Sequence, residues 1–442
     1  MSGLDSFFRP KSIVVIGAST KPGKIGHEVL RNVIRSFRGE VFAVNPRAEE
    51  ILGVPSYPSV REAPPAEMAV ITLPARAVPQ AVKECGEKGC KAVVVISGGF
   101  AELGDDGRRL QEEMVLTARR YGIRVIGPNC IGIYSPSTGV DTSFQPVERM
   151  LKPGDGNIAF TSQSGTYAID FLERLAHEGL GVRYGVSLGN RADVDEADLI
   201  ELWKEDDSVR VISSYMETLT DGRRLYEAVI RLNKPFIVYK SGRTVESARA
   251  ASSHTGRIAG SYKVFESALR QAGALVVDSF MELYESTKAI SLSPTPKGSR
   301  TLLITNGAGP CVSSMDLLYR YGFTFPRSDL GNPIDLTGSA RTQDYLKAMK
   351  RAKDYDLILV YVVYQDSPLE EEFTERLLDE WDGDKPLLVY ASGVGPYTME
   401  KVRELHRSGV PAFTTAEGIA WGARALLHFR KFGLEAAHGR KG

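Results

Sequence analysis

The sequence has few of the residues that mark a disulfide-rich, zinc-binding or membrane protein. Its 442 residues include 4 cysteines, and their scatter argues against a disulfide framework or a zinc cage. No apolar run approaches the length of a membrane span, and residues 1–10 lack the apolar core of a signal peptide. We therefore expect a cytoplasmic protein that holds no metal, with Cys85 and Cys90 as ordinary small buried residues.

An excess of charge of one sign is also missing. Lys plus Arg and Asp plus Glu each total 55, so no global field would attract nucleic acid or an anionic membrane. We expect neither as a partner, and any phosphate-bearing ligand has to be held by local groups. The chain has no Gly-Lys-Ser/Thr loop of the Walker type that would supply such groups for a nucleoside triphosphate.

Short β-branched runs recur along the chain, each closed by Gly, Asn or Ser and followed by a helical stretch, from Ser12–Gly17 onward. This alternation is typical of a parallel α/β sheet, whose ligands bind just after the strands. Polar stretches at Pro146–Asn157 and Ser291–Ser299 interrupt it. The predicted fold class is α/β, with three doubly wound domains over residues 1–150, 151–292 and 298–442.

The first predicted strand ends in Gly17-Ala18-Ser19, and the loop continues through Lys24 and Gly26 before a helix. Such a loop directs backbone N–H groups and a helix N-terminus toward an anion. Its spacing differs from the tight G-x-G-x-x-G of dinucleotide enzymes, which usually have an acidic ribose ligand where Asn45-Pro46-Arg47 stands here. Arg47 suits a ribose phosphate, which both CoA and NADP carry. These residues leave CoA, NADP and a simple connecting turn open.

Five segments, taken in order, resemble the CoA-binding domain of the succinyl-CoA synthetase superfamily, and most closely that of NDP-forming acyl-CoA synthetases. They are Gly17-Ala18-Ser19, Asn45-Pro46, Ile71-Thr72-Leu73-Pro74-Ala75, Ser97-Gly98-Gly99-Phe100 and Gly127-Pro128-Asn129-Cys130. The resemblance implies a Rossmann-like first domain that binds CoA, with Asn129 near the reacting thioester rather than capping a loop. The residues it implies for CoA binding are Gly17, Ala18, Ser19, Lys24, Gly26, Asn45, Arg47, Leu73, Pro74, Ser97, Gly98, Gly99 and Asn129.

Of the 6 histidines, His254 has the least ordinary surroundings. It lies among the small residues 250–256, where a phosphoryl group could reach it. A neutral imidazole can attack phosphorus through one nitrogen while a carboxylate holds the proton on the other, and Glu217, after an apolar strand, is the candidate carboxylate. The residues alone leave both as incidental polar groups. The other histidines are expected in helices (His27, His177) or in a solvated C-terminal region (His406, His428, His438).

Two further turns follow strands and can hold phosphate. Ser162-Gln163-Ser164-Gly165-Thr166 precedes a helix and offers hydroxyls, N–H groups and the positive end of a helix dipole. Gly307-Ala308-Gly309 has the corresponding place in the last third of the chain. From the residues alone, the first could be a plain N-cap and the second a tight crossover.

The resemblance assigns roles to these residues. In the superfamily a phosphorylated histidine in a small-residue loop pairs with a glutamate after the preceding strand, which implies His254 as nucleophile and Glu217 as its orienting carboxylate. It implies two flavodoxin-like domains after the first, with phosphate bound by Ser162, Gln163, Ser164, Gly165, Thr166, Gly307, Ala308 and Gly309. The last turn and residues 332–338 resemble the nucleotide-binding subunit of succinyl-CoA synthetase. Their presence beside His254 favours the rearranged acyl-CoA synthetases.

The implied function is that of an ADP-forming acyl-CoA ligase alpha subunit, which converts acyl-CoA, ADP and inorganic phosphate into a free acid, ATP and CoA. Nothing after Gly338 resembles a nucleotide-grasping domain, so an ATP-grasp beta subunit that binds Mg²⁺ with ADP or ATP is expected, in an α2β2 heterotetramer. Small monocarboxylic acids such as acetate are the expected substrates. The alternatives are a non-catalytic CoA-sensing module and an NADP-dependent oxidoreductase, against which the loose loop spacing speaks.

Overall fold

The β-branched runs form the strands of three sheets in a computed structural model that describes residues 3–247 and 261–435. The chain divides into one unit of residues 1–232 and 238–276 and another of residues 233–237 and 277–442. The predicted α/β class is confirmed, with mainly parallel pairing in every sheet. Across the described ranges, no helix is both long and apolar enough to cross a membrane.

The first sheet contains β1 (Ser12–Ile16), β2 (Glu40–Val44), β3 (Glu50–Ile51), β4 (Val54–Tyr57), β5 (Met68–Ile71), β6 (Ala92–Val95) and β7 (Arg124–Ile126). Its helices are α1 (Asp5–Phe8), α2 (Ile25–Ser36), α3 (Val78–Glu87) and α4 (Asp105–Arg120). The strand order is β3-β4-β2-β1-β5-β6-β7, and β1, β5 and β6 are buried throughout, as central strands of a parallel sheet are. The order reverses between β1 and β5, which is the switch point where such sheets bind ligands.

The second sheet contains β8 (Ile133–Ser135), β9 (Val140–Asp141), β10 (Asp155–Ser162), β11 (Val182–Ser187), β12 (Val211–Met216), β13 (Phe236–Lys240) and β14 (Leu275–Val277). Its helices are α5 (Gly165–His177), α6 (Glu196–Trp203), α7 (Gly222–Ile230) and α8 (Tyr262–Gln271). The order β14-β13-β12-β10-β11-β8-β9 is flavodoxin-like through β11, with its switch point between β10 and β12.

The third sheet contains β15 (Thr301–Thr305), β16 (Ile334–Asp335), β17 (Leu357–Val362), β18 (Leu387–Ala391) and β19 (Ala412–Phe413), in the order β16-β15-β17-β18-β19. Its unit includes helices α9 (Phe280–Leu292), α10 (Ala308–Arg320), α11 (Thr342–Met349), α12 (Phe373–Glu380), α13 (Pro396–Arg407) and α14 (Ala416–His428). This order is also flavodoxin-like, as the resemblance implied. Short 3-10 turns cover Ala75–Ala77, Ala101–Leu103, Ala352–Asp354 and Arg430–Phe432.

One expectation about burial is wrong. His406, predicted to be solvated, is only 2% exposed, and its Nε2 accepts a hydrogen bond from the Ala412 amide at 3.1 Å. Several residues near His406 in sequence are charged, so the local sequence does not indicate that the histidine side chain is buried. Cys85 and Cys90 are buried, as predicted. The domain limits remain predictions, and the short strands β8 and β9 join the second sheet although their residues precede position 150.

Candidate functional site

A cleft of about 760 Å³ opens outside the carboxyl ends of β1 and β5, at the switch point of the first sheet. Apolar surface comes from Pro58 and Val60, and a cation comes from Arg47. Such a mixture suits a nucleotide, whose base packs on apolar walls while its phosphates need cations or N–H groups. Six residues predicted to bind CoA line the cleft: Gly17, Ala18, Ser19, Asn45, Arg47 and Leu73.

Two glycines allow the loop and helix α2 to approach each other closely. Gly17 has a φ of +88°, and a Cβ there would lie 2.8 Å from Thr72 Oγ1. A Cβ at Gly26, in the first turn of α2, would lie 2.1 Å from the Gly17 carbonyl oxygen. Glycine at both positions brings the N-terminus of α2 against the loop. Gly26 is itself buried under the loop, so it contributes to a ligand site by allowing this close packing.

The turn after β2 carries the cationic side of the cleft. Asn45 Nδ2 donates to the Ala18 carbonyl at 2.7 Å, and Asn45 Oδ1 accepts from the Arg47 amide at 2.8 Å. These bonds hold the turn against the glycine loop and leave the Arg47 side chain exposed. Lys24 is also exposed, at the N-cap of α2. Two cations therefore flank the loop, which fits an anionic ligand but does not separate CoA from NADP.

The loops predicted to meet pantetheine lie beside Asn129. The Asn129 amide donates to the Ser97 carbonyl at 2.9 Å, and the Ser97 hydroxyl donates to the Leu73 carbonyl at 2.5 Å. A Cβ at Gly98 would lie 3.2 Å from Asn129 Oδ1. Asn129 has a φ of +60° and is exposed, so its side chain is available to a ligand. Pro74 precedes the 3-10 turn, and a Cβ at Gly99 would lie 3.0 Å from Ala75 Cβ.

Two residues that orient these loops were missed by the sequence analysis. Glu102 Oε1 accepts from the Gly99 amide at 2.6 Å, and its Oε2 accepts from Asn190 Nδ2 at 2.6 Å. Asn190 Oδ1 in turn accepts from Asn129 Nδ2 at 3.3 Å. Burial would raise the pKa of Glu102, but these hydrogen bonds outweigh it and the pKa is lowered. A glutamate three residues after a turn is a capping signal that could have found Glu102; nothing local identifies Asn190.

The serine turn after β10 begins helix α5. Ser162 Oγ donates to the Ser164 carbonyl at 2.6 Å, and Ser164 Oγ, at the N-cap, accepts from the Tyr167 amide at 3.4 Å. Gly165 and Thr166 are the first helical residues, and Thr166 is exposed. Because the first N–H groups of a helix have no intrahelical acceptor, this turn offers an anion both amides and the positive helix end.

Gln163, predicted to contact phosphate, joins the two strand ends at the switch point of the second sheet. Its amide N–H donates to the Tyr215 carbonyl at 3.2 Å. Its Nε2 donates to Glu196 Oε1 at 2.7 Å and to the Thr218 carbonyl at 3.0 Å. Its Oε1 accepts from the amides of Glu217 and Thr218 at 2.8 and 3.0 Å. The side chain therefore fixes the backbone that carries Glu217.

Glu217 follows β12 and lies at the same sheet edge as the serine turn, since Ser162 pairs with Tyr215. Its residue is 8% exposed. The Tyr215 hydroxyl lies 3.3 Å from Glu217 Oε1 and 3.1 Å from Ser241 Oγ. Burial raises the pKa of Tyr215, so it remains a neutral donor at physiological pH. The carboxylate thus lies at the carboxyl end of the sheet, within reach of the Tyr215 hydroxyl.

A buried lysine supports the same strand ends. Lys240 is 1% exposed, and its Nζ donates to the carbonyls of Glu217 and Ser241 at 2.9 Å each. Burial, together with the positive charge of Arg191, lowers the pKa of Lys240 to about 8, against the opposing effect of Glu217. Its amine therefore stays mostly charged at neutral pH behind the carboxylate.

A second buried cation lies on the loop after β11. Arg191 is 2% exposed; its Nη1 pairs with Glu196 Oε2 at 3.2 Å and its Nη2 donates to Thr218 Oγ1 at 2.6 Å. The positive charges of Arg191 and Lys240 balance the negative charges of Glu196 and Glu217. An arriving phosphate would add negative charge, and the fixed cations and helix N-terminus lower the cost of that charge in a partly buried place.

The glycine turn of the third sheet has a related design. Asn306 Oδ1 accepts from the Val363 amide at 2.8 Å, and its Nδ2 donates to Asp366 Oδ2 at 3.0 Å. These bonds cross the β15–β17 switch point of that sheet. Gly307 is the N-cap of α10 and has no side chain to cap the helix, so Ala308 and Gly309 begin an uncapped first turn.

His254 lies outside the described residues, and its role stays a prediction. The chain leaves β13 at Lys240, beside Glu217, and residues up to Ser247 are described. Within residues 3–247 and 261–435, no group of His, Cys, Asp and Glu side chains is arranged to hold a metal ion. The described side chains of the second sheet can orient an imidazole and accommodate a phosphoryl group.

Two family models match parts of the chain. The family described as "CoA binding domain" matches residues 11–136, which hold the cleft of the first sheet. The family described as "Succinyl-CoA ligase like flavodoxin domain" matches residues 155–290, which hold the serine turn and Glu217.

Several whole-chain relatives are also similar. The alpha subunit of acetate–CoA ligase [ADP-forming] II from Pyrococcus furiosus is 36% identical over an alignment of 456 positions, gaps included. The alignment covers 97% of this chain and 98% of that protein. Acetate–CoA ligase [ADP-forming] I from Archaeoglobus fulgidus is 36% identical over 93% of this chain but only 61% of that longer protein. A solved dinucleotide-forming acetyl-coenzyme A synthetase 1 from Ca. Korarchaeum cryptofilum, in complex with phosphate and ADP, has a TM-score of 0.89, 34% identity and 98% coverage of both chains.

Proposed function

The chain belongs to the family of ADP-forming acetate–CoA ligase alpha subunits, and from this membership we propose that it binds acyl-CoA on its first sheet and carries phosphate on His254. The reaction converts acyl-CoA, ADP and inorganic phosphate into free acid, ATP and CoA. It is a substrate-level phosphorylation, and a cytoplasmic location belongs to the same proposal.

In the first step, an oxygen of inorganic phosphate attacks the acyl carbonyl carbon, and the carbon–sulfur bond breaks. CoA leaves as a thiolate that takes up a proton, and an acyl phosphate remains. The exposed side chain of Asn129 and the amides of Gly165 and Thr166 are the donors proposed for the developing negative charge. Donors fixed before the reaction stabilise such charge more effectively than water does.

In the second step, one nitrogen of His254 attacks phosphorus while its other nitrogen donates to the Glu217 carboxylate. The bond from phosphorus to the acyl oxygen breaks, and the acid leaves as a carboxylate. Phosphoryl transfer depends mainly on positioning and on stabilising charge, which the fixed carboxylate, the buried cations and the helix N-terminus supply. The Gly307–Gly309 turn is proposed as a further phosphate-binding element.

The observation that carries this proposal is the joint fixation of Glu217 and the serine turn at one switch point. Ser162 and Tyr215 are paired residues of neighbouring strands, and Gln163 accepts from the Glu217 amide at 2.8 Å. A CoA-sensing module would need only the first cleft, and this arrangement would then have no function.

The nucleotide step is assigned to a separate beta subunit of the ATP-grasp type, which would bind Mg²⁺ with ADP or ATP. An α2β2 heterotetramer is the proposed assembly. The lengths of the relatives support a partner, because the Pyrococcus alpha subunit matches along 98% of its length, whereas the Archaeoglobus ligase matches along 61%. The additional length of the latter is where a fused equivalent would lie.

The test is to incubate the chain, alone and with its partner, with acetyl-CoA and radiolabelled phosphate, and to map acid-labile, base-stable label by mass spectrometry. We expect label on His254 and none in His254→Ala, while His177→Ala, which alters an exposed histidine at the end of α5, keeps it. Glu217→Gln should shorten the lifetime of the phosphoenzyme. Tight CoA binding without label, even with the partner, would favour the CoA-sensing module.

A further inference from the structure

One face of helix α5 leads from the proposed reaction centre into the core. Gly165, Ala168 and Leu172 lie at spacings of three and four residues, and therefore on one side of the helix. Leu172 packs close to the sheet, since a Cβ at Gly185 would lie 3.1 Å from its Cδ2. At Ala168 this face carries only a methyl group, which leaves space beside the sheet.

That space is a small cavity of about 10 Å³, lined by apolar residues that include Ile131, Phe160, Ala168 and Leu172 and also by Ser143, Gln145 and Lys152. Its wall is largely apolar, and its size is room for about one methyl-sized group. A cavity of this size has no room for a carboxylate group.

Ile131 separates this cavity from the N-terminus of α5. A Cβ at Gly165 would lie 2.9 Å from Ile131 Cγ2, so the isoleucine covers the first helical residue. Its amide donates to Ser187 Oγ at 3.2 Å, which fixes its backbone, and the residue is 9% exposed. It also follows Asn129 by only two positions. Ile131 therefore lies beside the helix start in space and close to Asn129 along the chain, the two groups that the proposed reaction places around the acyl carbonyl.

We propose that Ile131 forms the end wall of the acyl pocket and restricts it to short monocarboxylic acyl groups. The inference rests on the proposed function, because it takes the reacting carbonyl to lie between Asn129 and the start of α5. An aliphatic wall suits a methyl or ethyl group and offers no hydrogen bond to a second carboxylate. Shortening the wall would join the acyl pocket to the space beside Ala168.

The test compares phosphate-dependent CoA release from acetyl-CoA, butanoyl-CoA and hexanoyl-CoA by the complex of the chain with its partner subunit. For Ile131→Ala we expect the ratio of butanoyl to acetyl kcat/KM to rise roughly tenfold, the effect of about one methylene in an apolar pocket. Adding Ala168→Val to that variant refills the freed space and should return the ratio toward that of the wild type. Ile131→Val, which removes a single methyl group, should give a smaller rise.

The matched control is Ile158→Ala, which removes the same atoms from a buried position on β10 outside the cavity wall. Its acyl ratio should equal that of the wild type. The inference is overturned by an unchanged ratio in both Ile131 variants with acetyl-CoA turnover intact, by an equal shift in Ile158→Ala, or by no reversal on adding Ala168→Val. A wild-type complex that releases no CoA from any of the three substrates contradicts the proposed function itself.

Discussion

The cleft of the first sheet and the strand ends of the second hold their polar groups in different ways. In the cleft, the cations Arg47 and Lys24 are exposed, and the loop is shaped mainly by glycine and backbone contacts. At the second sheet, Gln163, Glu217 and Lys240 are buried, and the side chains of Gln163 and Lys240 bond the backbone at residues 217 and 218 at 2.8–3.0 Å. Exposed side chains that adjust their conformation can bind a ligand. Catalysis, in contrast, requires groups that are already in position before the substrate binds.

The difference predicts that the two regions fail differently when altered. Changes in the cleft should weaken CoA binding and leave the phosphoryl steps intact once CoA is saturating. Changes at the second sheet should slow phosphoryl transfer and reduce stability, because each removes a partner from buried polar groups.

The largest effect is expected for Gln163→Leu. The amides of Glu217 and Thr218 would lose their acceptor and Glu196 would lose a donor, each in a buried place. Unpaired buried groups cost about 1–3 kcal/mol each, so chemical denaturation should report a total loss of roughly 2–5 kcal/mol. With Glu217 no longer fixed, the rate of phosphoenzyme formation should fall about 100-fold, a loss of the size seen for a missing fixed donor.

Calorimetry should meanwhile give an unchanged CoA affinity for Gln163→Leu, because the cleft of the first sheet does not involve this residue. Gln271→Leu, at the exposed end of α8, is the control for the substitution itself. Equal losses of CoA affinity and of phosphoryl transfer in Gln163→Leu would show that the two regions are not separable.

Most strand positions of the fold could be predicted because buried parallel strands consist of continuous runs of β-branched residues. The strands that were not predicted, β3, β4, β8, β9, β16 and β19, have two to four residues each, too few for a clear periodic pattern. The position of the site followed from topology, since turns after neighbouring strands share a sheet edge.

The supporting residues of the site could not be predicted in the same way. Gln163 is predicted as a phosphate ligand because it stands within a serine turn, and no local pattern predicts that its side chain bonds residues 196, 217 and 218, distant in sequence. Asn190 and Lys240 likewise act through contacts that form only once separate strands are aligned. Local sequence indicates where a turn lies but not which distant backbone its side chains meet.

A middle-sized effect is expected for Lys240→Met, and it depends on pH. Burial lowers the pKa of the folded lysine from 10.5 to about 8, so between these values the unfolded chain binds more protons than the folded one. Wild-type stability relative to the variant should therefore rise with pH through this window, by up to about 3 kcal/mol. Below pH 8 both states are protonated, and the folded state bears the full cost of the buried charge.

Urea unfolding of both proteins at pH 7 and pH 10 measures the difference for Lys240→Met. Lys263→Met, at an exposed position on α8, should show no comparable change between the two pH values. A stability difference for Lys240→Met that is independent of pH would mean that its amine titrates alike in the folded and unfolded states.

The smallest effect is expected for Arg47→Ala in the cleft. The side chain is exposed, so its contact with a ribose phosphate is partly screened, and CoA affinity should fall about tenfold at low salt and less at high salt. Calorimetry with dephospho-CoA, which lacks the ribose phosphate, isolates this contact, because wild type and Arg47→Ala should bind dephospho-CoA equally. The control is Arg38→Ala, which alters an exposed arginine outside the cleft and should bind CoA and dephospho-CoA as the wild type does. If Arg47→Ala weakens CoA and dephospho-CoA alike, the arginine contacts some other part of the ligand. If NADPH binds as tightly as CoA, the cleft selects for the ribose phosphate alone, and discrimination between the two nucleotides has to come from the loops beside Asn129.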